Sequence, residues 1–502
     1  MSNSQQKISG GNAFVTTLLA GSAAIMACGA ASAADLPSRK SGPVQYVKIC
    51  DAYGAGFFTL PGSDTCVKIG GFVRFEMQYT PGQRVVNVAT GATTQVAASQ
   101  DTTGTEARAS INLDARTPTE FGTARTFLRI RSLNNSGIRR TSGASNFQTL
   151  YPATSGSTTG ITLERAYVEW AGFTFGNWGS EYAGLWPSGT VVGGSADFTS
   201  GWTNGVKGIA YKKSFGGGWT GVIQLDDRMD TGPQNAPGAA NTAVLLAPTQ
   251  ANSTNTHRPS TGFNLVGVVR NEGAWGAVEL DGMLGNNSTT DGPTPFANGG
   301  AANPLLGNRT YTSWALNSTL KINLPMIAAG DAFYVNVGYG KGAIGYVGAP
   351  DSWSTLVTDS TNRRILGGVI VAPSNLQLTS ITPGAAPLAY GQTTAFQMTA
   401  LFTHYWAPQW RTHVTFAYMN LGTPTALNPV GGLNTQLGNT SIWATKANLI
   451  YSPTKDFDVG VEAGYGQINT TIQNPTAAFV AAGSPGLKEG NWTTKLRVQR
   501  GF

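Results

Sequence analysis

Val67-Lys68-Ile69-Gly70-Gly71-Phe72-Val73-Arg74-Phe75-Glu76-Met77-Gln78-Tyr79 is the stretch that decides the fold. Val67, Ile69, Gly71, Val73, Phe75, Met77 and Tyr79 share one parity. Lys68, Gly70, Arg74, Glu76 and Gln78 share the other, and Phe72 is the single exception. A period of two sustained over about ten residues suits a tilted strand that crosses a bilayer. The code then repeats. Ala107, Ala109, Ile111, Leu113 and Ala115 oppose Glu106, Arg108, Ser110, Asn112, Asp114 and Arg116. After the turn Thr117-Pro118-Thr119, Ala124, Leu128 and Ile130 oppose Arg125, Arg129 and Arg131. A soluble sandwich would need a second sheet over the apolar face and shorter strands. Charges packed this densely on the other face cannot be buried dry, because each would cost several kcal/mol. Apolar side to lipid and charged side to a water-filled lumen satisfies both faces.

Composition agrees. Of 502 residues only 12% are charged, Gly supplies 65 and the mean hydropathy is −0.11. Beyond the N-terminus no apolar run reaches the roughly 18 residues of a membrane-spanning helix. Lys7, the apolar Ala13-Phe14-Val15 and Leu18-Leu19-Ala20, and Ala31-Ser32-Ala33 before Ala34 read as an export leader over 1–33. The net charge of +7 falls by one when Lys7 leaves, too mild to suggest nucleic-acid binding. Cys28 lies within the leader, where Ile25-Met26-Ala27-Cys28 is a poor lipoprotein box. Cys50 and Cys66 remain in the exported chain and are expected to form a disulfide within a periplasmic segment, 34–66, ahead of the barrel at 67–502.

Turn residues alternate between short and long connections. Short ones fall near 117–122, 172, 214–218, 272–274, 325–331, 406–410 and 452–456. Long ones rich in Gly, Ser, Thr, Asn and Pro fall near 80–105, 134–160, 181–205, 228–261, 285–310, 341–394, 421–439 and 467–490. This pattern predicts an all-β, 16-stranded antiparallel transmembrane barrel with short periplasmic turns, long external loops and both ends of the chain on the short-turn side. The least regular strands are those near 206–213 and 219–227, where Val222 and Ile223 adjoin. In the terminal Trp492-Thr493-Thr494-Lys495-Leu496-Arg497-Val498-Gln499-Arg500-Gly501-Phe502, Trp492, Leu496, Val498 and Phe502 face lipid, and Arg500 shares their parity at a strand end from which it can snorkel.

Several phrases resemble the alphaproteobacterial general porins: Ala34-Asp35-Leu36-Pro37; Cys50 to Cys66 with Val67-Lys68-Ile69-Gly70-Gly71; Arg165-Ala166-Tyr167-Val168-Glu169-Trp170-Ala171-Gly172-Phe173-Thr174-Phe175-Gly176; Lys321-Ile322-Asn323-Leu324-Pro325; His404-Tyr405-Trp406-Ala407-Pro408; and Gln499-Arg500-Gly501-Phe502. The resemblance implies a homotrimer in the bacterial outer membrane, in contact with its lipid, whose third external loop folds inward as a constriction. It also implies passive diffusion of small hydrophilic solutes and ions without a cofactor. A terminal Phe502 closing an alternating strand looks like the signal read by the barrel-assembly machinery.

A third loop at 181–205 would bring Glu181 and Asp197 opposite a wall of Arg74, Arg108, Arg125, Arg129 and Arg131, with Lys68 and Arg116 nearer the periplasm. Basic groups outweigh acidic ones, so weak anion preference or little selectivity is expected. The competing expectation is that these arginines pair with Glu76, Glu106, Asp114, Glu164 and Glu169 and only stiffen the wall. His404 and His413 bracket Pro408 and could approach each other, but no acid or Cys cluster joins them as a metal site requires. With so few histidines and neither a nucleophile elbow nor a phosphate-loop Lys, an enzyme is not expected. The alternatives are a substrate-specific channel, for which Trp186 and Trp202 leave room, and an adhesion or receptor barrel with a plugged lumen.

Overall fold

The computed structural model describes residues 48–79, 84–87, 93–95, 103–137, 157–187, 206–227, 263–288, 310–348, 366–367, 370–371, 376–380, 389–424, 435–473, 480–481 and 486–502. The leader expected at 1–33 and Asp197 lie outside these residues.

Sixteen strands close into one antiparallel barrel. They are β1 (Cys66–Tyr79), β2 (Thr103–Thr119), β3 (Gly122–Gly137), β4 (Ser157–Trp170), β5 (Phe173–Trp178), β6 (Val206–Gly216), β7 (Trp219–Asp227) and β8 (Phe263–Gly273). They continue with β9 (Gly276–Ser288), β10 (Thr310–Asn323), β11 (Ala332–Lys341), β12 (Thr394–Ala407), β13 (Trp410–Gly422), β14 (Thr435–Thr454), β15 (Phe457–Gln473) and β16 (Gly486–Gly501). Each strand pairs with its neighbours in sequence, and β1 closes on β16 from Phe72 opposite Gly501 to Tyr79 opposite Thr494. Phe502 and Gly71 complete that seam by exchanging backbone N–H···O bonds of 3.1 and 3.2 Å. This seam pairs the first strand with the last, so neither is left as a free edge in lipid, where each orphaned backbone group would cost several kcal/mol.

Tight turns do their part at one end. Ala171 (φ 51) and Gly172 (φ 84) occupy the left-handed region between β4 and β5, the backbone of a two-residue hairpin. Gly71 serves another need: a Cβ there would fall 2.1 Å from the Ser110 carbonyl oxygen on β2. The irregular strands also resolve. Val222 turns inward at 5% exposure and Ile223 outward at 64%, so β7 keeps strict alternation although both residues are apolar.

Burial is inverted relative to a soluble protein. Ile111, Leu280, Leu316 and Val461 are exposed on the outer wall, whereas Glu76, Glu279, Asn336 and Lys446 are buried on the inner one. Outward aromatics gather near both strand ends, as expected where a barrel meets lipid headgroups. Toward the long loops the row is Trp314, Tyr339, Phe396, Tyr418, Trp443, Tyr465, Trp492 and Tyr79, on β10–β16 and β1, with neighbouring rings 4.9–6.3 Å apart where they touch. At the same level β2, β3, β5 and β6 present Thr105, Ala107, Ser132, Asn134, Asn177 and Lys207 instead.

Cys50, ahead of β1, is joined by a disulfide to Cys66, the first residue of β1, with Cα atoms 6.0 Å apart. The loop they close tucks Phe57 against the bridge. Lys68 donates to the Ala55 carbonyl at 3.2 Å, and the Arg116 guanidinium lies 4.9 Å from the Phe57 ring centre. The two basic residues expected near the periplasmic mouth therefore hold this loop there.

A candidate constriction in the barrel lumen

The third long connection leaves β5 at Trp178 and is described as far as Pro187. Its first turn lies against the inner wall. Gln224 on β7 accepts from the Glu181 N–H (3.2 Å) and donates to the Ser180 hydroxyl (2.9 Å). On β9, Asp281 accepts from the Ala183 N–H (3.1 Å) and Glu279 from the Leu185 N–H (3.0 Å). Ala183 sits in the left-handed region (φ 56), which costs a non-glycine residue about 1 kcal/mol and so needs such a tether. Trp186 then buries itself against Leu401 and Tyr334. Six residues of loop thus run from β7 across β9 to β12.

A second connection enters the lumen beside it. The 3-10 turn Ile344–Val347, after β11, is wholly buried. The Tyr346 hydroxyl donates to Asp226 (2.8 Å) and accepts from Asn264 (3.3 Å), and its ring meets Tyr182 edge-on at 5.1 Å. Burial and the nearby Asp281 carboxylate push the Tyr182 hydroxyl well above the usual phenol range, so it stays protonated. The two loops therefore brace one another within the barrel.

Glu181, the acid expected at the constriction, does face the lumen. Lys212 approaches it at 3.3 Å and Arg270 at 3.9 Å. The expected basic residues gather on β1, β2 and β3, and β2 and β10 stand half-way round the barrel from each other. They carry acids with them. Glu76 pairs with Arg74 (3.5 Å) and with Arg497, and Glu106 pairs with Arg108 (2.8 Å). Asp114 is shared by Arg116 (2.9 Å) and Arg125 (3.0 Å), Glu169 also meets Arg125 (2.9 Å), and Glu164 meets Arg131 (3.0 Å). Arg129 is different: it donates to the neutral Asn112 carbonyl oxygen at 2.8 Å and, among the described residues, meets no carboxylate.

A bulge shapes this wall. Arg129 pairs with Arg165 but Ile130 with Leu163, so Glu164 has no counterpart on β3. The extra residue sends both Glu164 and Arg165 inward. Sequence reading missed the Glu279–Asp281 tether, although Glu279-Leu280-Asp281 alternates and could have been assigned to the lumen. It also missed Tyr346, whose loop gave no periodic signal.

The histidines do not approach each other. His413 points inward and shares a 2.8 Å hydrogen bond with Thr403, whereas His404 points outward to Asp331 at 2.6 Å. Their separation of nine residues places them on opposite parities of paired strands, so the wall stands between them. Among the described residues, no three His, Cys, Asp or Glu side chains converge as a metal ion would require.

A family profile described as the porin subfamily matches residues 35–488. The porin Omp2b of Brucella neotomae is 26% identical over 376 residues, which cover 71% of this chain and 90% of that protein. Omp2b of Brucella abortus strain 2308 is 25% identical over the same shares. Among solved structures, the outer membrane channel DcaP of Acinetobacter baumannii aligns with a TM-score of 0.53 and 14% identity, over 88% of this chain and 99% of that one. That last likeness concerns the fold, and the first concerns descent. With an inverted barrel, a charged lumen and a profile match over most of its length, the chain belongs to the porin subfamily and is a diffusion channel of the bacterial outer membrane.

Proposed function

We propose that the channel passes small hydrophilic solutes and ions with a weak preference for anions, and that its narrowest section lies between the inward third loop and the arginine wall. The observation that carries this reading is the asymmetry of the lumen. On β1–β4 and β16 basic side chains outnumber the acids that pair with them, whereas β7 and β9 present Asp226, Glu279 and Asp281 to the two inward loops. Arg74, Arg108, Arg125, Arg129 and Arg131 would form the basic side and Glu181 the acidic one, with Asp197 further along the same loop. A field between them orients dipolar solutes, and the surplus of guanidinium favours anions. Pairing within the wall moderates that preference without abolishing it, since the bases on these strands outnumber the acids that neutralise them.

The deciding experiment is the reversal potential of the purified, unboiled protein in a planar bilayer under a salt gradient. A small potential of anionic sign is expected. Strong cation selectivity would overturn the assignment of the basic side.

Residues 1–33 would be removed on export; the family match starting at residue 35 supports this. Three copies would associate through the outer face of β2–β6, where the aromatic row is interrupted, and Phe502 would present the closing strand to the assembly machinery. Conductance steps grouped in threes are expected of the trimer.

A further inference from the structure

One place on the lumen wall combines two features that a plain diffusion channel does not need. The first is aromatic. Phe127 and Tyr167 are directly paired on β3 and β4, face the lumen, and stack with ring centres 5.2 Å apart at 26°. Both are only half-buried, so part of each ring is open to the channel water. Apolar rings held against water are costly, and elsewhere on β2–β4 the inner wall is mainly polar.

The second feature is charge. One step further from the periplasm, Arg129 and Arg165 stand directly opposite each other, a like-charge pairing that destabilises a sheet. The same juxtaposition recurs at Arg74 with Arg108 and at Arg116 with Arg125, where glutamates or a shared aspartate answer it, and Arg165 has Glu164 beside it. Among the described residues Arg129 is answered by neutral Asn112 and by no carboxylate. Its guanidinium lies 5.6 Å from the Phe127 ring centre, and that of Arg125 lies 5.1 Å from the same ring on the periplasmic side. An apolar surface therefore lies beside a cation that, among the described residues, has no carboxylate partner.

We infer that Phe127, Tyr167 and Arg129 form a subsite for aromatic carboxylates. The ring of such an anion lies on the Phe127–Tyr167 surface, and its carboxylate accepts from the Arg129 guanidinium. A planar fork matches a carboxylate better than a point charge does. Stacking adds selectivity over an aliphatic acid of the same charge. Binding must stay weak for a solute to leave again, and a partly hydrated wall site meets that condition. This rests on the reading of the lumen as an open, anion-tolerant channel.

The test compares benzoate with cyclohexanecarboxylate, equal in charge and close in size but without a π face. Two readouts are taken on the full protein: reduction of single-channel chloride current, and saturation-transfer NMR of each acid with the detergent-solubilised barrel. Benzoate should bind about three- to ten-fold more tightly than cyclohexanecarboxylate, the range expected of one aromatic contact. Phe127→Leu should erase that ratio, and Arg129→Gln should weaken both acids together. Equal binding of the two acids by the unaltered protein overturns the inference and needs no variant. So does a benzoate preference that survives in Phe127→Leu. Cation selectivity in plain salt, alongside a benzoate preference that Phe127→Leu removes, would defeat the anion reading and leave the subsite standing.

Discussion

Replacing Asp281 with alanine should loosen the inward third loop without opening the barrel. Four of the contacts that tether the described part of that loop are Ala183 to Asp281, Leu185 to Glu279, Glu181 to Gln224, and Trp186 packed on Leu401 and Tyr334. Taking about 2 kcal/mol for each bond to a carboxylate, about 1 for the neutral one and about 2 for the tryptophan, these four amount to about 7 kcal/mol. Asp281→Ala removes about 2 kcal/mol of this, which raises the population of the released loop about thirty-fold. The substitution also strands the Ala183 N–H and the Asn317 amide that donates to the same oxygen at 2.8 Å, so the loop has a further reason to move. The barrel ladder is untouched, and heat-modifiable migration on gels should be that of the parent. In bilayer recordings at fixed voltage, brief excursions to a higher conductance level should become about thirty-fold more frequent. Asp281→Asn keeps one acceptor and should fall between the two. Excursions as rare in Asp281→Ala as in the parent, with the barrel folded, would refute the claim that β9 holds the loop.

Other consequences follow from the same structure. Glu76→Ala should lower the temperature at which the unboiled barrel loses its compact gel mobility, because Arg497 would be left buried beside Arg74 at a cost of about 3 kcal/mol; an unchanged transition would argue against a stabilising seam. Leu280→Arg on the lipid face should cost about 2–4 kcal/mol near mid-membrane and reduce the yield of inserted protein, whereas Asn317→Arg in the lumen should insert and alter conductance instead; equal yields would contradict the assignment of the two faces. Serine at Cys50 and Cys66 should leave the barrel intact but expose the 50–66 loop to protease, since the bridge restrains that loop by about 3 kcal/mol; full resistance would show that Lys68 and Arg116 suffice to hold it.

Parity was what the amino-acid order revealed best. Side chains on a strand have only two directions, so Phe75 and Glu76 declare opposite solvents whatever their neighbours are, and fifteen alternating connections then set the strand number. Register is another matter. It decides that Asp114 reaches both Arg116 and Arg125, and that Arg129 is left with Asn112; neither follows from composition, because a shift of two residues preserves every parity. The bulge at Glu164 hides for the same reason, as one inserted residue looks like a lapse in alternation. His404 and His413 were drawn together by closeness in sequence, yet parity alone, counted through the turn, separates them. The loop tethers were illegible because irregular backbone carries no period, and only the alternating acids Glu279 and Asp281 marked where it would dock.

The seam between β1 and β16 sets a rule about time. Arg74 meets Gln499 across 425 residues of chain, and nearly every other strand pairs with one made just before or after it. Fifteen of the sixteen junctions can form in order of synthesis, but the last waits for the end of the message. Until then the growing sheet has two bare edges, each able to capture the other or a stranger. A chain of this design therefore depends on being kept unpaired in transit and released all at once, so that export, rather than stability of the finished barrel, is the stage at which it is most easily lost.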